Sequence, residues 1–409
     1  MSLERVTSGE PPRFLLLLPP TPSPPNTAAL KSAYGETISE VLKEVATHSS
    51  DTDKAAVLEI ALACPHLIDA QDKPRSSLYD ETQALVAGLY RLVTSTAARE
   101  NINVEDHDGV DVRVILVAWS SEKTARSPQQ KPYGPIIDIE TLARSGRQWQ
   151  FAFGVESEAG AGLVKAFVTA KGSAEESVGR VQSGPVMNTS GSASSEQPSA
   201  TAPSNPTHGK HFDTCVGGTW DHLHNGHKLL ITMTIFAVDE RPESEERSAS
   251  VCVSGDQLHT KKKHAELLES WTERQKAVAT FFNAIVDFSN PATSGQRHVS
   301  IRDDPGPNGK GIDVHYPNGL VVKCTEFQDA FGPTITDERI SALVVSTETR
   351  AGGKAVNDKR KQLGWKEVDL FEVDVLDADE EGPSKDGFDG KISSTAIREK
   401  LARKAGGKM

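Results

Sequence analysis

The stretch Phe212-Asp213-Thr214-Cys215-Val216-Gly217-Gly218-Thr219-Trp220-Asp221-His222-Leu223-His224-Asn225-Gly226-His227 decides how this 409-residue chain is read. Residues 212–216 form a short strand pattern. Gly217 and Gly218 then permit a tight turn and close approach of backbone to a ligand. A helical pattern starts near His224, and the free N–H groups and positive dipole end of such a helix make an anion site. His224 and His227, three residues apart, fall on one face of the first turn, and Gly226 leaves that face open. By itself such a histidine pair is more often a packing pair, and a zinc site lacks a third ligand nearby. The Gly-Gly-Thr turn directly after a strand shifts the reading to a phosphate site at a strand–helix junction.

Working outward, strand patterns fall at 212–216, 249–254, 299–302, 341–346 and 368–373. Helical patterns fall at 224–238, 265–286, 354–363 and 395–404. The alternation predicts a Rossmann-like, doubly wound parallel sheet over 210–409. Ligands bind such sheets beyond the carboxyl ends of the strands, where strand order reverses. Residues 1–171 read as an α/β region of unknown role, with strands at 14–18 and 112–117 and helices at 30–45, 55–67 and 81–94. Between the two, residues 172–209 are rich in Gly, Ser and Pro. They hold too few large apolar side chains to offset chain entropy, which predicts a flexible, disordered linker.

Composition narrows the partners. Apolar residues make up only 37% of the chain, which the polar linker explains. A formal net charge of −12 argues against a general nucleic-acid or anionic-membrane binder, though a local basic pocket remains compatible with it. Cys64, Cys215, Cys252 and Cys324 are scattered without a C-x-x-C pair, as in a reducing, intracellular compartment. The apolar run at 14–18 is too short for a membrane span or a signal peptide. A soluble, cytoplasmic protein is expected.

Three further motifs fall at strand ends or helix starts. Lys261-Lys262-Lys263 follows the second strand; such a run is usually a solvated face, but there it can clamp phosphates. Val344-Val345-Ser346-Thr347-Glu348-Thr349-Arg350-Ala351-Gly352-Gly353 ends the fourth strand and leads through Asn357 and Arg360 into a helix. Ile392-Ser393-Ser394-Thr395-Ala396-Ile397-Arg398 opens the last helix. Alone, that last motif reads as an ordinary serine cap.

Together these motifs resemble the H-x-G-H nucleotidyltransferase superfamily, and within it the eukaryotic-type, fungal-like phosphopantetheine adenylyltransferases. The resemblance covers about residues 210–405, with Trp220 standing where phenylalanine is more usual, and it does not extend to the N-terminal half. It implies transfer of the adenylyl group of ATP to 4′-phosphopantetheine, giving dephospho-coenzyme A and pyrophosphate. Mg²⁺ is expected through the nucleotide phosphates, with no metal ligands from the protein. The resemblance assigns His227, His224, Lys262 and Thr219 to catalysis, as donors and clamps in a direct in-line attack. It places Gly217, Gly218, Gly226, Ser346, Glu348, Thr349, Asn357, Ser394, Thr395 and Arg398 in substrate binding. Ser394, Thr395 and Arg398 are expected at the β- and γ-phosphates, and Glu348, Thr349 and Asn357 on the adenosine side.

The chain has no G-x-x-x-x-G-K-[ST] loop, so a fused dephospho-coenzyme A kinase is not expected. Rival readings are a nicotinamide-mononucleotide adenylyltransferase or a cytidylyltransferase. The latter is disfavoured because the chain lacks an R-T-x-G-I-S-T-type ending. The long linker and N-terminal half leave open a scaffold role, holding other coenzyme A biosynthesis enzymes.

Overall fold

The computed structural model describes residues 11–21, 26–49, 55–105, 109–122, 132–184, 209–290, 295–304, 306–374, 376 and 393–406. The linker positions 185–208, and Ile392, lie outside them.

Six parallel strands build the first sheet: β1 (Arg13–Leu18), β2 (Ala56–Ala63), β3 (Val110–Val117), β4 (Ile136–Ile137), β5 (Phe151–Glu156) and β6 (Gly179–Gln182). Their order is β4-β3-β2-β1-β5-β6. Helices cover both faces, as an all-parallel sheet requires. Leu16, Ile60 and Val114 pack under α1 (Thr27–Ser49) and α2 (Tyr79–Arg99). Leu15, Leu17 and Ile115 pack under α3 (Ile139–Arg144) and α4 (Glu158–Lys171).

Residues 55–67, expected as a helix, instead contain β2, every residue of which is buried. A strand covered on both faces reads as a continuous apolar run, and A-V-L-E-I-A-L-A carries no period of two to betray it. Its one charge, Glu59, is fully buried and accepts from Arg13 at 2.7 Å, Arg147 at 2.9 Å and the Trp149 indole at 2.7 Å. The first sheet also runs past residue 171. The strand β6, inside the segment read as linker, pairs with β5.

The second sheet contains β7 (Asp213–Gly218), β8 (Arg247–Ser254), β9 (His298–Asp303), β10 (Lys310–His315), β11 (Leu320–Phe327), β12 (Ala342–Ser346) and β13 (Asp369–Val373). Its order is β13-β12-β7-β8-β11-β10-β9. The doubly wound core is as expected. Val216, Val251 and Val344 face α5 (Asn225–Phe236) and α6 (Trp271–Val286), while Cys215, Cys252 and Leu343 face α7 (Arg350–Gln362).

The far edge departs from the sequence reading: β9 and β10 run antiparallel, and β11 takes the parallel place beside β8. The turn that reverses the chain is Asn318-Gly319, with Gly319 at φ 79°. Asn-Gly between two apolar runs is a hairpin signal the sequence reading passed over. A final helix, α8 (Ser394–Gly406), closes the described chain.

The two sheets share their inner helices. α2 packs along α5, and α6 touches β3. One apolar cluster runs through both halves, from Leu16 and Val86 to Ile235 and Val251. Polar ties add to it: Arg147 donates to the Ala284 carbonyl and, at 2.9 Å, to that of Asp287, and Arg75 holds the Asp239 carboxylate and Glu240. Among the described residues no helix is long and apolar enough to cross a membrane.

Candidate functional site

Strand order reverses at β7, which has β8 on one side and β12 on the other. The crevice beyond their carboxyl ends is where a doubly wound sheet takes its ligand. The chain leaving β7 turns through two left-handed residues, Trp220 (φ 59°) and His222 (φ 47°). Such conformations cost about 1–3 kcal/mol each away from glycine and persist only where surroundings over-determine them. Here the Trp220 ring is fully buried and its indole N–H donates to the Cys252 carbonyl at 2.7 Å. A Cβ on Gly218 would sit 2.7 Å from that ring, so glycine is needed for close packing rather than for its dihedral freedom. The His222 amide donates to Glu269 at 2.8 Å, and its ring lies 3.1 Å from the Leu267 carbonyl.

His224 caps α5, with no side chain bonded to its first amides. The imidazoles of His224 and His227 stack at 3.8 Å with an interplanar angle of 19°, and the Trp220 ring meets His227 edge-on at 5.2 Å. Burial, then Lys228 and His222, pull the His224 pKa down to about 3. Burial, then His224, Lys262 and His222, hold His227 well below the ordinary histidine value. Both rings are therefore neutral at neutral pH. Each keeps a buried Nδ1 without a partner among the described residues.

Lys262 reaches across and donates to the Thr219 hydroxyl at 2.7 Å. Burial, then Arg398, lower its pKa, with Asp221 opposing. Of the three lysines it is therefore Lys262 that meets the Thr219 turn, whereas Lys263 pairs with Glu399 and lines the same cavity.

Two residues outside the expected set hold these loops together. Arg274 is fully buried and donates to the carbonyls of Thr219 (2.6 Å), Ser254 (2.9 Å) and Glu269 (2.9 Å) and to the Asp256 carboxylate (2.6 Å). Asp221, also fully buried, pairs with Arg398 and accepts from the Glu269 amide at 3.0 Å, while its carbonyl accepts from Ser394 at 2.7 Å. Asp221 stands inside the motif that was read. Its signal was an acid flanked by turn residues, which the emphasis on histidines eclipsed.

A cavity of about 520 Å³ opens over this turn. It brings together Gly217, Gly218, Thr219, His224, Gly226, His227, Lys262, Ser346, Glu348, Thr349, Ser394, Thr395 and Arg398. Every expected site residue lines it except Asn357. That side chain lies behind the wall, where its amide both donates to the Val368 carbonyl and accepts from the Val368 amide, each at 2.9 Å. Asn357 thus fastens the entry to β13. A polar residue four past a Gly-Gly pair reads as a ligand in sequence, but the turn of α7 faces it toward the sheet.

Arg398 borders the cavity with its guanidinium committed to Asp221, the Lys263 carbonyl (3.1 Å) and Thr395. Ser393 accepts from the Ala396 amide at 3.2 Å, the ordinary cap that the motif alone would give. A second cavity, of about 370 Å³, adjoins the first. The two share Gly217, Gly218, Thr219, Lys262, Val344 and Thr349, and the second is walled by Leu258, Phe327, Phe331 and Val356. Among the described residues, the carboxylates that line the first cavity are Glu348 and Asp374. Among the described residues no three His, Cys, Asp or Glu side chains cluster as metal ligands.

A family model described as Domain of unknown function (DUF8446) matches residues 1–187. An uncharacterized protein of Schizosaccharomyces pombe is 37% identical over 193 residues, 47% of this chain and 49% of that protein. The phosphopantetheine adenylyltransferase of Saccharomyces cerevisiae is 31% identical over 193 residues, again 47% of this chain and 49% of the relative. The match thus spans about half the length of both fungal relatives, 49% in each. The phosphopantetheine adenylyltransferase of Pyrobaculum aerophilum is 32% identical over 197 residues, 47% of this chain and 94% of that protein. A doubly wound sheet with this relationship defines a nucleotidyltransferase-type α/β protein. The chain belongs to the phosphopantetheine adenylyltransferase family.

Proposed function

We propose that the protein transfers the adenylyl group of ATP to 4′-phosphopantetheine, giving dephospho-coenzyme A and pyrophosphate. The observation that carries this reading is the pair of cavities meeting at Gly217–Thr219 and Lys262. Two substrates can occupy the adjoining cavities and bring their phosphates together at the shared wall. The first cavity, with its histidines, hydroxyls and basic side chains, suits a nucleoside triphosphate; Glu348 and Thr349 lie on its adenosine side. The second, walled by Leu258, Phe327 and Phe331, suits the pantetheine arm.

In the step itself, a phosphate oxygen of the acceptor attacks the α-phosphorus in line. The bond from that phosphorus to the bridging oxygen breaks, and pyrophosphate leaves with the electron pair. No protein nucleophile is required, so the protein's task is positioning and charge stabilisation. Thr219 and the Gly217–Gly218 turn hold the incoming phosphate, and Lys262 spans the two phosphates. His227 donates an N–H to the α-phosphate, and His224 supports the nucleotide phosphates. Because both rings are neutral, they contribute directed donors rather than full charges. Ser394 and Thr395 face the β- and γ-phosphates, with Arg398 fixing the helix start that carries them. Mg²⁺ enters bound to ATP, as part of the substrate. The four cysteines are free and buried, which fits a cytoplasmic setting.

Pyrophosphate release tests the proposal, with ATP or CTP supplied against 4′-phosphopantetheine or nicotinamide mononucleotide. Release only with ATP and phosphopantetheine is expected. Release with another pair, and none with this one, overturns it.

A further inference from the structure

The helix that carries the two histidines is gripped from both sides. One side of α5 rests on β7, β12 and β13, and the other lies along α2 of the first domain. None of its residues from Asn225 to Phe236 is exposed. Its first turn divides its side chains cleanly between the two neighbours. His224, Gly226 and His227 line the larger cavity. The side chains of Asn225 and Lys228, also three apart and so on a second face, bond to the first domain. The Asn225 amide donates to the Thr94 hydroxyl at 3.2 Å. Lys228 donates to the Asp111 carboxylate at 2.6 Å and to the Val112 carbonyl at 3.0 Å.

These contacts are built into both domains. Thr94 is itself fixed, donating to the Tyr90 carbonyl at 2.9 Å, and Asp111 is held from its far side by Arg113 at 2.6 Å. Asn225, Lys228 and Thr94 are all buried. Burial works against the Asp111 carboxylate, but Arg113 and Lys228 outweigh it and keep it ionised. Lys228 is the buried member of this pair and Asp111 its half-buried partner, so a displacement of the helix turn would leave a buried ammonium without its carboxylate.

We propose that the first domain is a positioning element of the nucleotidyltransferase site: Thr94 and Asp111 set the rotation and height of the first turn of α5, and through it the two imidazoles. This rests on the reading of function given above. A side chain extends to about 5–6 Å from the helix axis, so a rotation of about 10° swings an imidazole by about 1 Å. A misplacement of about 1 Å by a distant substitution can cost about 10²-fold in rate. The region matched by the domain of unknown function thereby acquires a task without touching a substrate.

The test uses full-length protein carrying Thr94→Val, Thr94→Ser or Asp111→Asn, with ¹⁵N-labelled histidine. Thr94→Val removes the hydroxyl at constant shape, and Thr94→Ser restores it. Thr94→Val should lower kcat about fivefold or more and Asp111→Asn about tenfold or more, with KM for both substrates within about twofold, because the imidazoles act in the transition state. Thr94→Ser should match the parent. The ring-nitrogen resonances of His224 and His227 should move in the Val and Asn variants and not in the Ser variant. Parental kcat and resonances in folded Thr94→Val overturn the proposal, even if its melting temperature has dropped. Should the parent release no pyrophosphate from ATP and phosphopantetheine, the reading of function fails, and the resonances alone still decide the positioning role.

Discussion

Replacing Arg274 by lysine tests whether the site's loops depend on one guanidinium. The change keeps the charge and most of the length, yet Arg274 serves four acceptors from three nitrogens. A lysine ammonium is a single point of donation and lacks that planar fork. It can stay near Asp256 and one carbonyl, leaving two of the carbonyls of Thr219, Ser254 and Glu269 without their donor. Hydrogen bonds from charged donors contribute about 1.5–3 kcal/mol each, so two lost bonds amount to about 3–6 kcal/mol. Asp256 is largely exposed and adds little to that sum. At about 2–4 °C per kcal/mol for a unit of about 200 residues such as the second domain, the melting temperature should fall by about 6–24 °C. Turnover should fall too, by about 10- to 10²-fold, because the freed Thr219 carbonyl loosens the turn that meets Lys262. Near-ultraviolet circular dichroism on heating, beside pyrophosphate release at saturating ATP, reads both quantities. An Arg274→Lys protein that melts and turns over like the parent would refute the reasoning.

Other substitutions separate the remaining roles. His227→Ala should lower kcat by about 10²–10³-fold, the size of one lost transition-state donor, and near-parental turnover in a folded variant would remove that assignment. Among single methionine replacements of Lys261, Lys262 and Lys263, only that of Lys262 should raise KM and lower kcat together; a larger effect at Lys261 would mean the loop is differently engaged. Asn357→Ala should leave KM for ATP unchanged while costing about 1–3 kcal/mol of stability, seen in urea unfolding, since its two bonds go to Val368. The two depressed imidazoles set a pH dependence. Between about pH 6.5 and the folded value near 3 for His224, the unfolded chain binds more protons, so stability falls as pH drops through that window. A His224→Asn, His227→Asn protein should lose less melting temperature between pH 7 and pH 4, and equal slopes would show that the rings are not held neutral.

The site was legible in the sequence where its chemistry depends on local order. Gly217–His227 is continuous, and a strand–turn–helix places its residues wherever the rest of the chain goes. Lys262, Ser346 and Ser394 were legible because each follows a strand end or starts a helix, and a doubly wound sheet gathers those places on one side. Arg274 was not legible, because three of its four acceptors are backbone carbonyls, in the turn after β7, at the end of β8 and just before α6, and carbonyls leave no trace in sequence. Asn357 shows the converse: its partner is the backbone of Val368, which sequence does not reveal. The β2 strand was misread because burial on both faces erases periodicity. The hairpin at Asn318-Gly319 does carry a local signal, Asn-Gly between two apolar runs. The contact between domains had one signal, the apolar run of α5 on all sides, which needs cover on all sides. That signal names no partner.

The helical layer shared by the two sheets also bears on where this chain can be cut. Gly184 is pinned by its amide to the Ala33 carbonyl at 3.3 Å, and the Gly209 carbonyl accepts from Ser76 at 3.1 Å. The chain therefore leaves and re-enters on fixed anchors of the first domain. A break introduced between these anchors falls outside every described member of the apolar cluster that runs through both halves. The two fragments should copurify and stay active as a noncovalent pair, whereas either half made alone exposes the inner helices to water. Split expression and insertion of a reporter both become practical at that seam.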